Sequence, residues 1–123
     1  MKKHIRTKDV QRALAEISMR GEMWRQLPFA PRYWVSNYGR VYGVAHNKVL
    51  KAECKKYARV FIRTIAGYKH FLVHKLVSMM FCYGYDDFKE IHHVDTNPLN
   101  NNSTNLAPVT PEQHRLIHRK SAQ

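Results

Sequence analysis

The stretch Ile91 to Arg119, IHHVDTNPLNNNSTNLAPVTPEQHRLIHR, constrains this chain more than any other. It carries His92, His93, Asn105, His114 and His118. Adjacent residues on an extended strand point to opposite faces, so His92 and His93 cannot share one task unless the chain turns beside them. One is then available as a ligand while the other stays free. Downstream, Thr110, Pro111 and Gln113 read as an N-cap, a proline at the first helical position and the partner of a capping box, which together start a helix. On that helix His114 and His118 are four apart and share a face. An i, i+4 histidine pair with a third imidazole from the strand offers three protein ligands and an open position, as in a catalytic metal site rather than a closed structural one. The free histidine then has a use as general base, because its intrinsic pKa lies near neutrality.

These residues resemble an HNH nuclease motif, the ββα-metal finger. In that family a strand carries a metal ligand and the catalytic histidine, an Asn- and Gly-rich loop leads to a second strand bearing the middle Asn, and a helix supplies the last ligands. The block HHVDTNPLNNNSTNL is similar to the form found in phage intron-encoded homing endonucleases. Upstream, Tyr33-Trp-Val-Ser-Asn-Tyr-Gly-Arg-Val41 resembles the short W…VSNxGRV module that precedes the nuclease motif in those enzymes. Val73-His-Lys-Leu-Val77 and Phe81-Cys-Tyr-Gly84 fit the connecting helix. The resemblance covers most of the chain from about Trp24 onward.

The resemblance implies a role for each matching residue. His93 is the expected general base and Asn105 the residue that holds and orients its imidazole. His92 is the expected first metal ligand, His114 the ligand from the helix, and His118 matches the additional helical ligand of the all-histidine variants such as the nuclease colicins. The relatives usually have Asp or Asn in place of His92 and Asn in place of His114. Oxygen ligands suit magnesium, whereas three neutral imidazoles favour zinc, nickel, cobalt or manganese, so one divalent ion of the set zinc, nickel, manganese or magnesium is expected. Two further departures are Thr96, where the family has Gly after Asp95, and Ala107-Pro108, where it has an aromatic residue. A proline there must lie at an edge or bulge of the second strand.

Composition agrees with a polyanionic partner. Over 123 residues, 21 Lys and Arg stand against 9 Asp and Glu, a formal charge of +12. A phosphate backbone is the commonest target of such a surplus, and the nuclease-like motif points to double-stranded DNA. The length suits one compact domain and little more. No apolar run approaches a membrane span and the N-terminus shows no signal-peptide core, so the cytoplasm is the expected location and no membrane partner is expected. Cys54 and Cys82 are expected to be free thiols, and a cysteine-built zinc site is excluded.

The expected fold class is α+β: a small antiparallel β-sheet with helices, followed by the ββα-metal finger. Three segments are distinguished within it, an N-terminal helical extension at 1–22, a basic β-rich DNA-contacting module with connecting helix at 23–84, and the nuclease motif at 85–123. In the first, Thr7 caps a helix to Arg20 with Val10, Leu14 and Ile17 as its stripe, packed on the domain. In the second, Asn37-Tyr-Gly is a tight turn between strands, Arg59 to Arg63 alternates between two faces, and Lys69 to Val73 returns as its partner after Gly67. Arg40, Lys48, Lys51, Lys55, Lys56, Arg59, Arg63 and Lys69, with Arg115 and Arg119 on the last helix, are the candidate phosphate contacts. Such contacts fix register and give salt-sensitive affinity without reading sequence. Trp24, Trp34, Phe61 and Phe71 read as core, and the amides of Asn100, Asn101 and Asn102 as satisfying their own loop. His4, His46 and His70 have no spacing that joins them to the site, and His74 reads as a local hydrogen-bonding group at a helix start.

The expected activity is metal-dependent hydrolysis of phosphodiester bonds, leaving 5′-phosphate and 3′-hydroxyl ends as the resemblance implies. One active site cuts one strand, so a monomer is expected to nick and only a dimer or two encounters to break both strands; a monomer or weak homodimer is the expected state. The alternatives are a zinc-stapled, non-cutting DNA-binding module and a basic structural protein.

Overall fold

The computed structural model describes residues 6–121, with Lys120 and Ser121 described in backbone only; His4 and the other residues before Arg6 in the N-terminal segment lie outside it. The first helix, α1 (Thr7–Ile17), is amphipathic and buries Val10 and Leu14. Thr7 is not its cap: Arg6 occupies that position and makes no side-chain capping bond. The helix stops at Ile17, before Arg20, because Ser18 turns to extended backbone and its hydroxyl donates back to the Leu14 carbonyl (2.6 Å).

Four short strands follow: β1 (Trp24–Leu27), β2 (Ala30–Ser36), β3 (Val41–Gly43) and β4 (Lys48–Val49), paired in that order as an antiparallel sheet. The β2–β3 turn is Asn37-Tyr38-Gly39, with Gly39 at φ +91°, a value that L side chains rarely adopt. Its geometry is locked from both sides. The Ser36 hydroxyl accepts from the Tyr38 and Arg40 amides, and the Asn37 side chain ties the turn to Met23 and Gly21. A second antiparallel sheet contains β5 (Glu53–Cys54), β6 (Ala58–Thr64) and β7 (Gly67–Leu72), in sequence order. Strand β6 buries Ala58, Val60 and Ile62 and turns Phe61 and Arg63 outward, the period-two alternation that its sequence predicts.

Helix α2 (Val73–Phe81) continues directly from β7. It leads to a two-stranded antiparallel hairpin of β8 (Glu90–His93) and β9 (Leu106–Val109), and then to α3 (Pro111–Ser121). Pro108 sits opposite Ile91 in that two-stranded ladder, where every strand has a free edge to accommodate it. The capping box forms as the sequence predicts: the Gln113 amide donates to Thr110 Oγ1 (3.1 Å) and the Thr110 amide to Gln113 Oε1 (2.9 Å).

One contiguous core joins these parts. Leu27, Val35 and Val41 from the first sheet meet Val60 and Ile62 from the second, Val73, Leu76 and Val77 from α2, and Ile91 and Leu106 from the hairpin. A satellite cluster of Val10, Leu14, Trp34 and Tyr42 docks α1 on the first sheet, as expected of that helix. The architecture is mixed α and β with antiparallel sheets throughout.

Candidate metal-dependent active site

Strand β8 delivers the first two histidines. Glu90 and His92 are two apart and face one side; Ile91 and His93 face the other and are buried. The strand ends at His93, where the Thr96 amide donates to the His93 carbonyl (2.9 Å) and the chain turns away. That turn lets both histidines line one cleft of about 250 Å³, which Lys56, Tyr57, His114 and His118 also border.

One ring nitrogen from each of His92, His114 and His118 lies within 4.8 Å of the other two. His114 Nε2 and His118 Nε2 are 3.0 Å apart, as the i, i+4 spacing on α3 requires. His114 Nδ1 donates to the Glu90 carboxylate at 2.6 Å, which leaves Nε2 facing its neighbours. A carboxylate behind a ligating imidazole is the usual way that tautomer and ring orientation are fixed. Burial, then the neighbouring His114, His118 and His93, lowers the pKa of His92, which keeps it neutral. Three imidazoles with a carboxylate behind one of them, opening on a cleft, is a donor set that fits a divalent ion. The sequence names the three histidines but not Glu90; its position two residues before His92 on one strand face is the signal that identifies it.

His93 stands apart from the trio. It is buried, its ring lies edge-on to His74 at 5.1 Å and stacked with Tyr57 at 6.2 Å, and its Nε2 is 3.0 Å from Asn101 Oδ1. The partner expected from the sequence was Asn105, and the geometry differs. Asn105 donates to Asp95 Oδ1 and to the Asn100 carbonyl (both 2.9 Å) and accepts from the Asp95 amide (2.9 Å). It therefore fixes the loop that follows His93, while Asn101 touches the imidazole. Asn101 thus does more than satisfy its own loop, whereas Asn100 and Asn102 do bond within it. Nothing in the local pattern separates Asn101 from its two neighbours. His74 also belongs to this region. Burial first, then the charges of His93 and Lys75, pushes its pKa down to about 4.

Of the candidate phosphate contacts, Arg40 is committed elsewhere. Its guanidinium bonds the Glu22 carboxylate (Nε to Oε2 2.9 Å) and the Ile17 carbonyl (2.8 Å) and lies 5.3 Å over Trp24. The Glu22 side chain is fully covered, and although burial opposes its ionisation, bonds from Arg40, Ser36 and Met19 outweigh that and lower its pKa. Arg40 is a structural cation of the first sheet. Lys48, Lys51 and Lys69 are exposed, and Lys55 is 3.7 Å from Glu53 with an exposed chain. Lys56 borders the histidine cleft. Arg59 bonds Glu53 (2.8 Å). Arg59 and Arg63 flank Phe61 on the outward side of β6, Arg63 packs toward Tyr68, and Phe61 is half exposed instead of being core. Arg115 and Arg119 line an exposed groove on α3.

Residues 22–70 match the NUMOD4 motif. Over 90 residues the chain is 39% identical to the DNA endonuclease I-HmuI of Bacillus phage SP01, a match covering 71% of this chain and 52% of that protein. An uncharacterized HNH endonuclease of Acanthamoeba polyphaga mimivirus is 34% identical over 91 residues, 72% of this chain and 28% of the other. A solved structure describing DNA binding and cleavage by the HNH homing endonuclease I-HmuI superposes with a TM-score of 0.73 at 35% identity, over 81% of this chain and 59% of that one. Over most of its own length the chain is similar to HNH homing endonucleases. It spans about half the length of I-HmuI.

Proposed function

We propose that the chain is a metal-dependent HNH endonuclease that hydrolyses phosphodiester bonds of double-stranded DNA. The observation that carries this reading is one cleft bordered by two chemically distinct sets of imidazole: the trio His92, His114 and His118, and the separate, buried His93. A purely structural metal site has no use for the second. The trio is the set that would hold one divalent ion, and imidazole chemistry favours zinc, nickel or manganese over magnesium. When bound, such an ion supplies charge neutralisation at the phosphate and at the departing 3′ oxygen.

The chain's own groups do the rest. His93 takes a proton from the attacking water, and the Asn105 carboxamide holds the loop that follows it. Lys56 brings positive charge to the cleft mouth. Lys48, Lys51, Lys55, Arg59, Arg63, Lys69, Arg115 and Arg119 remain the phosphate contacts of the duplex, and Arg40 leaves that set. One such site cuts one strand per encounter.

The test is conversion of supercoiled plasmid to nicked circle by metal-stripped protein, with magnesium, manganese, nickel or zinc restored one at a time. Nicking that depends on a restored ion supports the reading. Equal cutting in the presence of a chelator contradicts the metal dependence, and absence of cutting with every ion contradicts the activity.

A further inference from the structure

The loop residue Asn101 and the β2–β3 turn meet directly at the back of His93. Asn101 is buried, at 6% exposure, as Asn105 is, within the 97–105 loop whose other members are half-buried or exposed. Its Oδ1 is 3.0 Å from His93 Nε2, in a contact buried at both ends. A carboxamide oxygen only accepts, so a hydrogen bond at that distance requires the proton to sit on Nε2. No hydrogen bond to His93 Nδ1 forms among the described residues. The ring plane is set independently by the edge of His74 and the face of Tyr57.

Asn101 is itself held by the N-terminal module. A Cβ on Gly39 would lie 2.9 Å from Asn101 Cβ and 3.1 Å from the Asn101 carbonyl oxygen, so the loop packs against the turn at a distance only glycine permits. The Ser103 amide donates to the Asn37 carbonyl (2.7 Å) and fastens the loop on the other side of that contact.

We infer that Asn101 is the positioning residue of His93, fixing the neutral imidazole as the Nε2–H tautomer so that Nδ1 is the atom that accepts the proton. The Asn37–Gly39 turn holds Asn101 in place, which makes the NUMOD4 segment part of the catalytic apparatus as well as a DNA-contacting surface. This inference rests on His93 being the general base. A wrong tautomer at a catalytic histidine costs orders of magnitude in rate even when the surrounding geometry survives.

The experiment reads the tautomer first, by two-bond 1H–15N correlation of the histidine rings in the full chain loaded with zinc, at a pH where the His93 ring is neutral. The expected wild-type signal is a protonated Nε2 and an unprotonated Nδ1. Asn101→Asp keeps an acceptor in place and retains that pattern; Asn101→Leu loses it and populates both tautomers. In plasmid nicking, Asn101→Leu is expected to cut at least about tenfold more slowly with DNA affinity unchanged, and Asn101→Asp to recover most of the loss. An Nδ1–H signal in the wild type overturns the inference, as does an Asn101→Leu protein that folds and cuts at the wild-type rate. If leucine is not tolerated by the fold, the wild-type and aspartate spectra still decide the tautomer. If the wild type fails to cut with every restored metal, the nuclease reading fails, and the ring signals alone decide whether Asn101 positions His93.

Discussion

His74 shows how one buried side chain couples the fold to pH. Its ordinary pKa is near 6.5 and burial, reinforced by His93 and Lys75, pushes it down to about 4. Between those values the unfolded chain binds a proton that the folded one refuses, so stability falls as pH drops. The contribution is complete above about pH 6.5 and is lost as pH approaches 4, a swing of about 3 kcal/mol for a shift of this size. His74→Phe keeps a ring against Tyr57 and His93 but removes the titration. Thermal melts at pH 7 and pH 5 are expected to show a smaller drop for the variant than for the wild type; parallel drops mean that His74 is not the group responsible. Arg40 carries the second expectation at this scale. Removing it leaves the covered Glu22 carboxylate without its cation, which costs on the order of 3 kcal/mol. Arg40→Ala should therefore lower the melting temperature by several degrees, whereas Arg63→Ala should leave it nearly unchanged and weaken DNA binding in a salt-dependent way. Equal loss of DNA affinity without loss of stability in Arg40→Ala would restore Arg40 to the phosphate contacts.

Among the elements, the turn after β8 holds the clearest local conflict between sequence and backbone. Thr96 has φ 65°, in a region that suits glycine and penalises a β-branched residue. The relatives' glycine after the aspartate has a physical reason here, and the threonine is held there by the network of Asp95, Asn100 and Asn105 around it. Asp95 bonds the Asn100 side chain, the Asn97 amide and Asn105, which together lower its pKa. Thr96→Gly is expected to stabilise the protein by about 1 kcal/mol, read from chemical denaturation, because relieving a left-handed non-glycine residue outweighs the added freedom of the unfolded chain. Destabilisation would mean that the Thr96 side chain makes a contact worth more than the strain.

For the whole molecule, most of the architecture was legible because local signals and global packing agree. The capping box at Thr110, the Asn37-Tyr-Gly turn, the alternation of β6 and the i, i+4 histidines each depend on residues close in sequence, and each forms as read. What escaped depends on residues that meet only after folding. Asn101 looks like its neighbours until the Gly39 turn packs on it, Glu90 looks like linker until α3 brings His114 back, and Arg40 looks like surface charge until Glu22 is covered. Phe61 was misjudged because alternation shows that two faces differ but not which one the core occupies.

In the proposed mechanism His93 takes the proton while the trio of His92, His114 and His118 holds the ion. It is tested most directly by comparing His93→Ala with the wild type for plasmid nicking and for duplex binding, under the metal that supports cutting best. Loss of a general base is expected to slow nicking by about two to four orders of magnitude while metal and DNA affinity stay close to wild type. A His93→Ala protein that nicks as fast as the wild type contradicts the account, and one that loses its metal shows that His93 is a ligand instead of the base.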